Sequence, residues 1–217
     1  MSPTHPPLVK ICGITQKEDA RAAALLGADM VGFIFHHKSP RSVDFREVLT
    51  FQTYGAQRVG VFVDQKGEEI RDICEKTNLT LAQFHGAQDQ NDSKIVGPEK
   101  VIRVLWPEKY QDLKLFKAEL LAWESLARWI LIDAGVSGGG HGQQIKSDLL
   151  VPIIKDFRVP VLLAGGLNPL NIQELCPPRG ESVFAGFDFN SGVEISPGKK
   201  DHNLMKKVIT YVKSIKL

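Results

Sequence analysis

Eight short apolar runs alternate with amphipathic segments along this chain, and no other feature limits its possible folds as much. The runs read as strands over 8–12, 30–35, 58–63, 81–85, 100–105, 128–132, 160–164 and 182–189. The spacing between them predicts helices from Thr15 to Gly27, over 44–53, 67–77, 89–96, 109–122 and 147–156, and from Asn168. A last helix over 201–215 places Leu204, Val208, Val212 and Ile215 on one stripe. Thr15-Gln16-Lys17-Glu18 has the form of a capping box. Strands that alternate with helices favour a parallel sheet. Eight such units in 217 residues, without a linker or a break in composition, predict one α/β domain over 1–217, a single (β/α)8 TIM barrel. A doubly wound open sheet has the same local pattern and is the structural rival.

Composition narrows the function. Lys and Arg total 27 against 25 acids, a formal charge of +2, which gives nucleic acid no electrostatic hold as a main partner. Apolar runs such as 161–164 are far short of the ~18 residues a membrane span needs. The first residues, Met1-Ser2-Pro3-Thr4-His5-Pro6-Pro7, lack the basic start and apolar core of a secretory signal. Cys12, Cys74 and Cys176 make no disulfide framework, so a reduced, cytoplasmic setting is expected.

In a barrel of this kind the chemistry lies at the C-terminal strand ends and in the loops beyond them. Leu163-Ala164-Gly165-Gly166-Leu167-Asn168-Pro169 closes the seventh strand, and Phe189-Asn190-Ser191-Gly192 closes the eighth. Glycine lets backbone amides approach a ligand, and barrels often bind phosphate in these two loops. Taken alone, Gly-Gly is as readily a turn. Cys12 ends the first strand on the same face as Lys10. A lone cysteine is usually a small core residue. At a strand end, with a pKa of ~8.5 lowered by a cation, it is also a workable base; Lys10 is the candidate cation, with pairing to a buried carboxylate as its other reading. Asp133 ends the sixth strand, either as a loop cap or as a buried acid with a raised pKa. The glycine-rich stretch after it, 135–142, has the composition of a hinged lid or of a surface loop. Arg41, after the second strand, offers a fork for a carboxylate, though a solvated basic loop is the plainer reading. His36 and His37 are adjacent, so strand alternation would turn them apart. His85 has no partner at ligand spacing, so neither place suggests a metal site.

Together these segments resemble one family, phosphoribosylanthranilate isomerase of tryptophan biosynthesis. The matching motifs are Val9-Lys10-Ile11-Cys12-Gly13-Ile14-Thr15, Val31-Gly32-Phe33-Ile34-Phe35 with Lys38-Ser39-Pro40-Arg41, Val59-Gly60-Val61-Phe62-Val63, and Gln83-Phe84-His85-Gly86. They continue with Asp133, Ala164-Gly165-Gly166-Leu167-Asn168-Pro169, and Phe187-Asp188-Phe189-Asn190-Ser191-Gly192-Val193-Glu194, then Pro197-Gly198-Lys199-Lys200-Asp201. The resemblance implies a barrel without organic cofactor or metal. Its ligand would be a phosphorylated small molecule, N-(5-phosphoribosyl)anthranilate, converted by an Amadori rearrangement to 1-(2-carboxyphenylamino)-1-deoxyribulose 5-phosphate. It further implies Asp133 as the acid and Cys12 as the base, with Arg41 on the anthranilate carboxylate. Asp188 would lie near the substrate nitrogen, and His85 would be a wall residue. Gly165, Gly166, Asn190, Ser191 and Gly192 would surround the phosphate.

The stretch Gly139-Gly140-His141-Gly142-Gln143-Gln144-Ile145-Lys146 departs from the family pattern of Gly-Gly-Ser/Thr-Gly and then Phe-Asp-Trp. That departure bears on lid contacts and rate, not on reaction type. Three other readings stay open. One is an aminoaldose isomerase of histidine biosynthesis, against which stands the cysteine where such barrels usually carry aspartate. Another is a different sugar-phosphate barrel such as an epimerase, which generally needs a metal with histidine ligands, and the spacing here is poor for one. The third is a sugar-phosphate-binding barrel with weak or lost activity.

Overall fold

The computed structural model describes residues 6–135, 147–155, 157–175 and 183–215. Eight parallel strands close on themselves: β1 (Leu8–Ile11), β2 (Met30–Ile34), β3 (Gln57–Phe62), β4 (Leu81–Phe84), β5 (Val101–Leu105), β6 (Trp129–Asp133), β7 (Val161–Ala164) and β8 (Gly186–Phe189). Each pairs with its sequence neighbours, and β8 returns to β1 with Lys10 opposite Asp188. The open-sheet rival is thereby excluded. The helices are α1 (Lys17–Leu25), α2 (Phe45–Val48), α3 (Gly67–Thr77), α4 (Gln90–Val96), α5 (Leu113–Ala122), α6 (Ser147–Ile154), α7 (Ile172–Leu175) and α8 (His202–Ser214).

The alternation of side chains sorts each strand into two cores. Val9 and Ile11 face outward into the layer between strands and helices, while Lys10 between them faces the barrel. Inside, Met30, Val59, Leu81, Ile102, Leu131 and Leu162 pack into an apolar plug. That plug makes the barrel a solid support, leaving the C-terminal mouth for polar residues. On α8, Met205, Val208, Ile209 and Val212 are fully buried, worth about 1.5–3 kcal/mol each in water-to-core transfer. The buried stripe is thus turned slightly from the expected one, with Leu204 at its edge. An aspartate at Val208 would strip α8 from the barrel.

Several helix ends differ from expectation, each for a local reason. The Thr15 box does not form. Thr15 donates its hydroxyl to the Gly198 carbonyl instead, and Gln16 takes the N-cap position without a side-chain bond. Asp44, Asp89, Asp112 and Asp201 cap their helices as short acceptors should. α2 has only four residues because Arg58 takes the carbonyls of Val48 and Phe51 at 2.6 and 2.7 Å. α5 starts at Leu113 because Pro107–Lys109 forms a 3₁₀ turn and Asp112 supplies the N-cap. Before α7, Asn168 does act as a cap, its Oδ1 accepting from Leu170 N and Asn171 N. One element has no counterpart in the sequence pattern. After a 3₁₀ turn at Ser191–Val193, β9 (Glu194–Ser196) and β10 (Lys199–Lys200) form a hairpin that leads into α8.

Candidate active site

The C-terminal strand ends surround one cavity of about 340 Å³. Cys12, Arg41, His85, Asp133, Gly165, Gly166, Asp188, Asn190 and Ser191 all line it, so the structure brings together residues spread over most of the sequence. Gly192 stands just behind. A Cβ on it would come 2.0 Å from the Leu167 carbonyl oxygen, so this glycine lets the β8 loop lie against the β7 loop. The glycine-rich segment beyond Gly135, over 136–146, lies outside the described residues, as do Cys176 and the N-terminal 1–5.

Cys12 sits beside a buried ion pair. Lys10 Nζ donates to Asp188 Oδ2 at 2.9 Å, and both side chains are buried. Burial alone would pull the Lys10 ammonium down, but Asp188 and Cys12 outweigh it and hold it above its ordinary value. Burial pushes the Cys12 thiol up; Lys10 opposes this without overcoming it. The expectation of a thiol lowered by a nearby cation therefore fails, because desolvation is the larger effect, and Lys10 follows its other reading by pairing with a buried carboxylate. Gly32 makes room for the group. A Cβ there would lie 2.8 Å from Cys12 Sγ and 3.3 Å from Lys10 Nζ.

Two buried acceptors at the cavity are unpaired: Asp188 Oδ1 and Gln83 Oε1. An unpaired buried acceptor costs about 1–3 kcal/mol unless a ligand donates to it. The sequence motifs alone do not single out Gln83. Its place facing inward on β4 could have been found from the alternation of Leu81, Gln83 and His85.

Asp133, at the end of β6, is half-buried rather than shut away, and its Oδ1 accepts from Gly135 N at 3.3 Å. Gly165 has φ +108°, and a Cβ on it would lie 2.9 Å from that same oxygen. Only glycine fits there without moving the carboxylate. His85 packs edge-on against Trp106, with ring centroids 5.0 Å apart. Burial, opposed by Asp133, lowers its pKa to about 4, so at neutral pH it is an uncharged wall.

Arg41 does not hang free in a basic loop. Its guanidinium grips Glu194, Nε to Oε1 at 2.9 Å and Nη2 to Oε2 at 2.6 Å. Lys200, fully buried, donates to the same carboxylate at 2.8 Å and to Asn190 Oδ1 at 3.0 Å. The two cations hold Glu194 ionised against the cost of burial. Nothing in the local sequence gives Glu194 and Lys200 a role. They belong to the hairpin, which brings them from β9 and β10 to the loop after β2.

His36 and His37 also depart from expectation. β2 ends at Ile34, so alternation does not reach them, and their ring centroids lie 5.5 Å apart on the same side of the chain.

A cavity with a thiol and a carboxyl at two strand ends, an arginine on one side and glycine loops on another suits acid–base work on an anionic sugar. Comparison with known proteins agrees. The family model for N-(5'-phosphoribosyl)anthranilate (PRA) isomerase matches residues 9–211. An N-(5'-phosphoribosyl)anthranilate isomerase of Maridesulfovibrio salexigens is 44% identical over 198 residues, 90% of this chain and 93% of its own. One from Thermotoga neapolitana is 38% identical, covering 95% and 98%. The crystal structure of the Thermotoga maritima enzyme superposes with a TM-score of 0.82 at 32% identity, covering 95% and 98%. Another, in complex with reduced 1-(o-carboxyphenylamino)-1-deoxyribulose 5-phosphate, gives 0.79 at 30%, covering 96% and 98%.

Proposed function

The chain belongs to the N-(5'-phosphoribosyl)anthranilate isomerase family and is an isomerase of tryptophan biosynthesis; from that premise we propose how its own residues perform the rearrangement. Asp133, entering as the acid, gives its proton to the furanose ring oxygen. The C1′–O bond breaks, and the nitrogen lone pair forms a C=N⁺ iminium. Cys12 as thiolate then takes the C2′ proton, and that electron pair neutralises the iminium to give an enolamine. Loss of the C2′ hydroxyl proton and protonation of C1′ yield the ketose.

The thiolate is a minor form in the ligand-free protein, since burial favours the thiol. Two cations draw it out, Lys10 beside it and the iminium formed on the substrate. Arg41, held by Glu194, binds the anthranilate carboxylate. Asp188 Oδ1 and Gln83 Oε1 accept from the anilino N–H and the sugar hydroxyls. Gly165, Gly166, Asn190, Ser191 and Gly192 place the β7 and β8 loops around the phosphate. Anchors at both ends hold the reacting carbons between acid and base.

The observation that carries this reading is that Cys12 and Asp133 face one cavity from different strand ends, each supported by a glycine that leaves it room. The buried free thiols of Cys12 and Cys74 support a reduced, cytoplasmic setting. Among the described residues no helix is long and apolar enough to cross a membrane. A fluorescence assay of freshly generated phosphoribosylanthranilate tests the proposal. Substrate is consumed by the wild type and not by Cys12→Ala; equal consumption by both removes Cys12 from the mechanism.

A further inference from the structure

The loops that leave β2 and β3 carry His36, His37 and Asp64 to the rim of the cavity. Gln65 ties the loops together at their bases, donating to the Phe35 carbonyl and accepting from Val63 N at 3.3 Å. One ligand atom from each of the three side chains lies within 4.8 Å of the other two. His36 Nδ1 is closed to water and 2.8 Å from Asp64 Oδ2, yet it is not in hydrogen-bonding geometry with that oxygen or any other. The ring nitrogen and the carboxylate thus touch as a close pair without a hydrogen bond to hold them, and a cation drawn in beside them, parting the two slightly, would serve both.

We propose that His36, His37 and Asp64 bind a divalent transition metal, zinc above all. Two imidazoles and one carboxylate are the donors zinc prefers, with a fourth position left for water. Calcium and magnesium call for oxygen donors almost throughout. At bond lengths of about 2.0–2.2 Å, tetrahedral donors stand about 3.4 Å apart, so the His36–Asp64 pair opens and the longer separations close by side-chain rotation of about an ångström. His37 and Asp64 are exposed and have room for it. His36 also lines the cavity, so the ion adds positive charge where an anionic substrate enters. It stands apart from the acid–base pair and takes no part in the proton transfers.

The test uses untagged full-length protein stripped with a chelator, then titrated calorimetrically with zinc and spectroscopically with cobalt(II). The wild type binds one zinc per chain and gives visible cobalt bands. His37→Ala and Asp64→Asn each weaken zinc roughly tenfold or more and lose those bands. Both sit on the surface, and circular dichroism checks that they fold. Repeating the titration in Cys12→Ala, which lacks the thiol that faces the cavity, leaves the zinc affinity unchanged. Failure of the wild type to bind zinc overturns the proposal, as does unchanged affinity in His37→Ala or Asp64→Asn.

Discussion

Glu194→Gln removes one charge from the centre of the Arg41–Glu194–Lys200 network while keeping its shape. The carboxylate accepts from Arg41 Nε and Nη2, from Lys200 Nζ and from Gly198 N. An amide offers one oxygen to these donors and turns its own NH₂ toward the rest. Lys200, fully buried, is left with Asn190 as its remaining partner. Breaking a buried pair by removing one member costs about 3–5 kcal/mol, and the amide oxygen recovers part of that, so the expected loss is about 3 kcal/mol. For a chain of this size that lowers Tm by about 6–12 °C. The kinetic effect is separable. Arg41 loses its fixed orientation, and binding shared by ground and transition states is what KM reports. KM therefore rises about tenfold, the equivalent of 1.4 kcal/mol, while kcat falls less. Urea unfolding with steady-state turnover measures both. A lowered Tm with unchanged KM would mean that Glu194 supports the hairpin but does not aim Arg41. No change in either would refute the electrostatic reasoning altogether.

Cys12→Ala and Asp133→Asn should each lower kcat by at least ~10²-fold, the usual size of an acid–base contribution, and near-normal turnover in either would remove that residue's role. Because burial pushes the Cys12 thiol up, the ultraviolet thiolate absorbance of the wild type minus that of Cys12→Ala should still be rising with pH at 9.0, whereas a difference already complete by pH 7 would contradict a protonated resting thiol. His85 titrates near 6.5 when unfolded and about 4 when folded, so its contribution is complete above pH 6.5 and is lost as pH falls through about 4. The loss is on the order of 3 kcal/mol, and unfolding midpoints that depend equally on pH in wild type and His85→Phe would disprove it.

What the sequence made legible was local. Strand ends were readable because parallel strands buried on both faces are apolar runs, and a polar residue that ends one, such as Cys12 or Asp133, stands out. The loop glycines were readable because their neighbours, Asn168 and Pro169, have a local use in capping. The Thr15 box failed because the hydroxyl is turned to donate to the Gly198 carbonyl, 183 residues away, and its oxygen does not accept from the N–H groups of the helix. Glu194 and Lys200 were silent for the same reason. An ionised pair in sequence looks like solvated surface until a hairpin folds it under Arg41. The short helix α2 was overestimated because its end is set by Arg58, which belongs to the next strand.

The same contrast explains the state of the thiol. From sequence, Lys10 two residues before Cys12 argues for a lowered pKa, since a neighbouring charge is visible in the chain. Desolvation is not visible there, because it depends on the whole barrel closing around the residue, and here it prevails. The consequence is an order of events. Until the ring opens, Lys10 is the nearest compensating cation, and its charge is shared with Asp188 at 2.9 Å. In the mechanism we propose, once Asp133 has delivered its proton, the iminium supplies a second positive charge to the sulfur. On that proposal the acid step creates the field that makes the base competent, and the C2′ proton is taken after the sugar has opened.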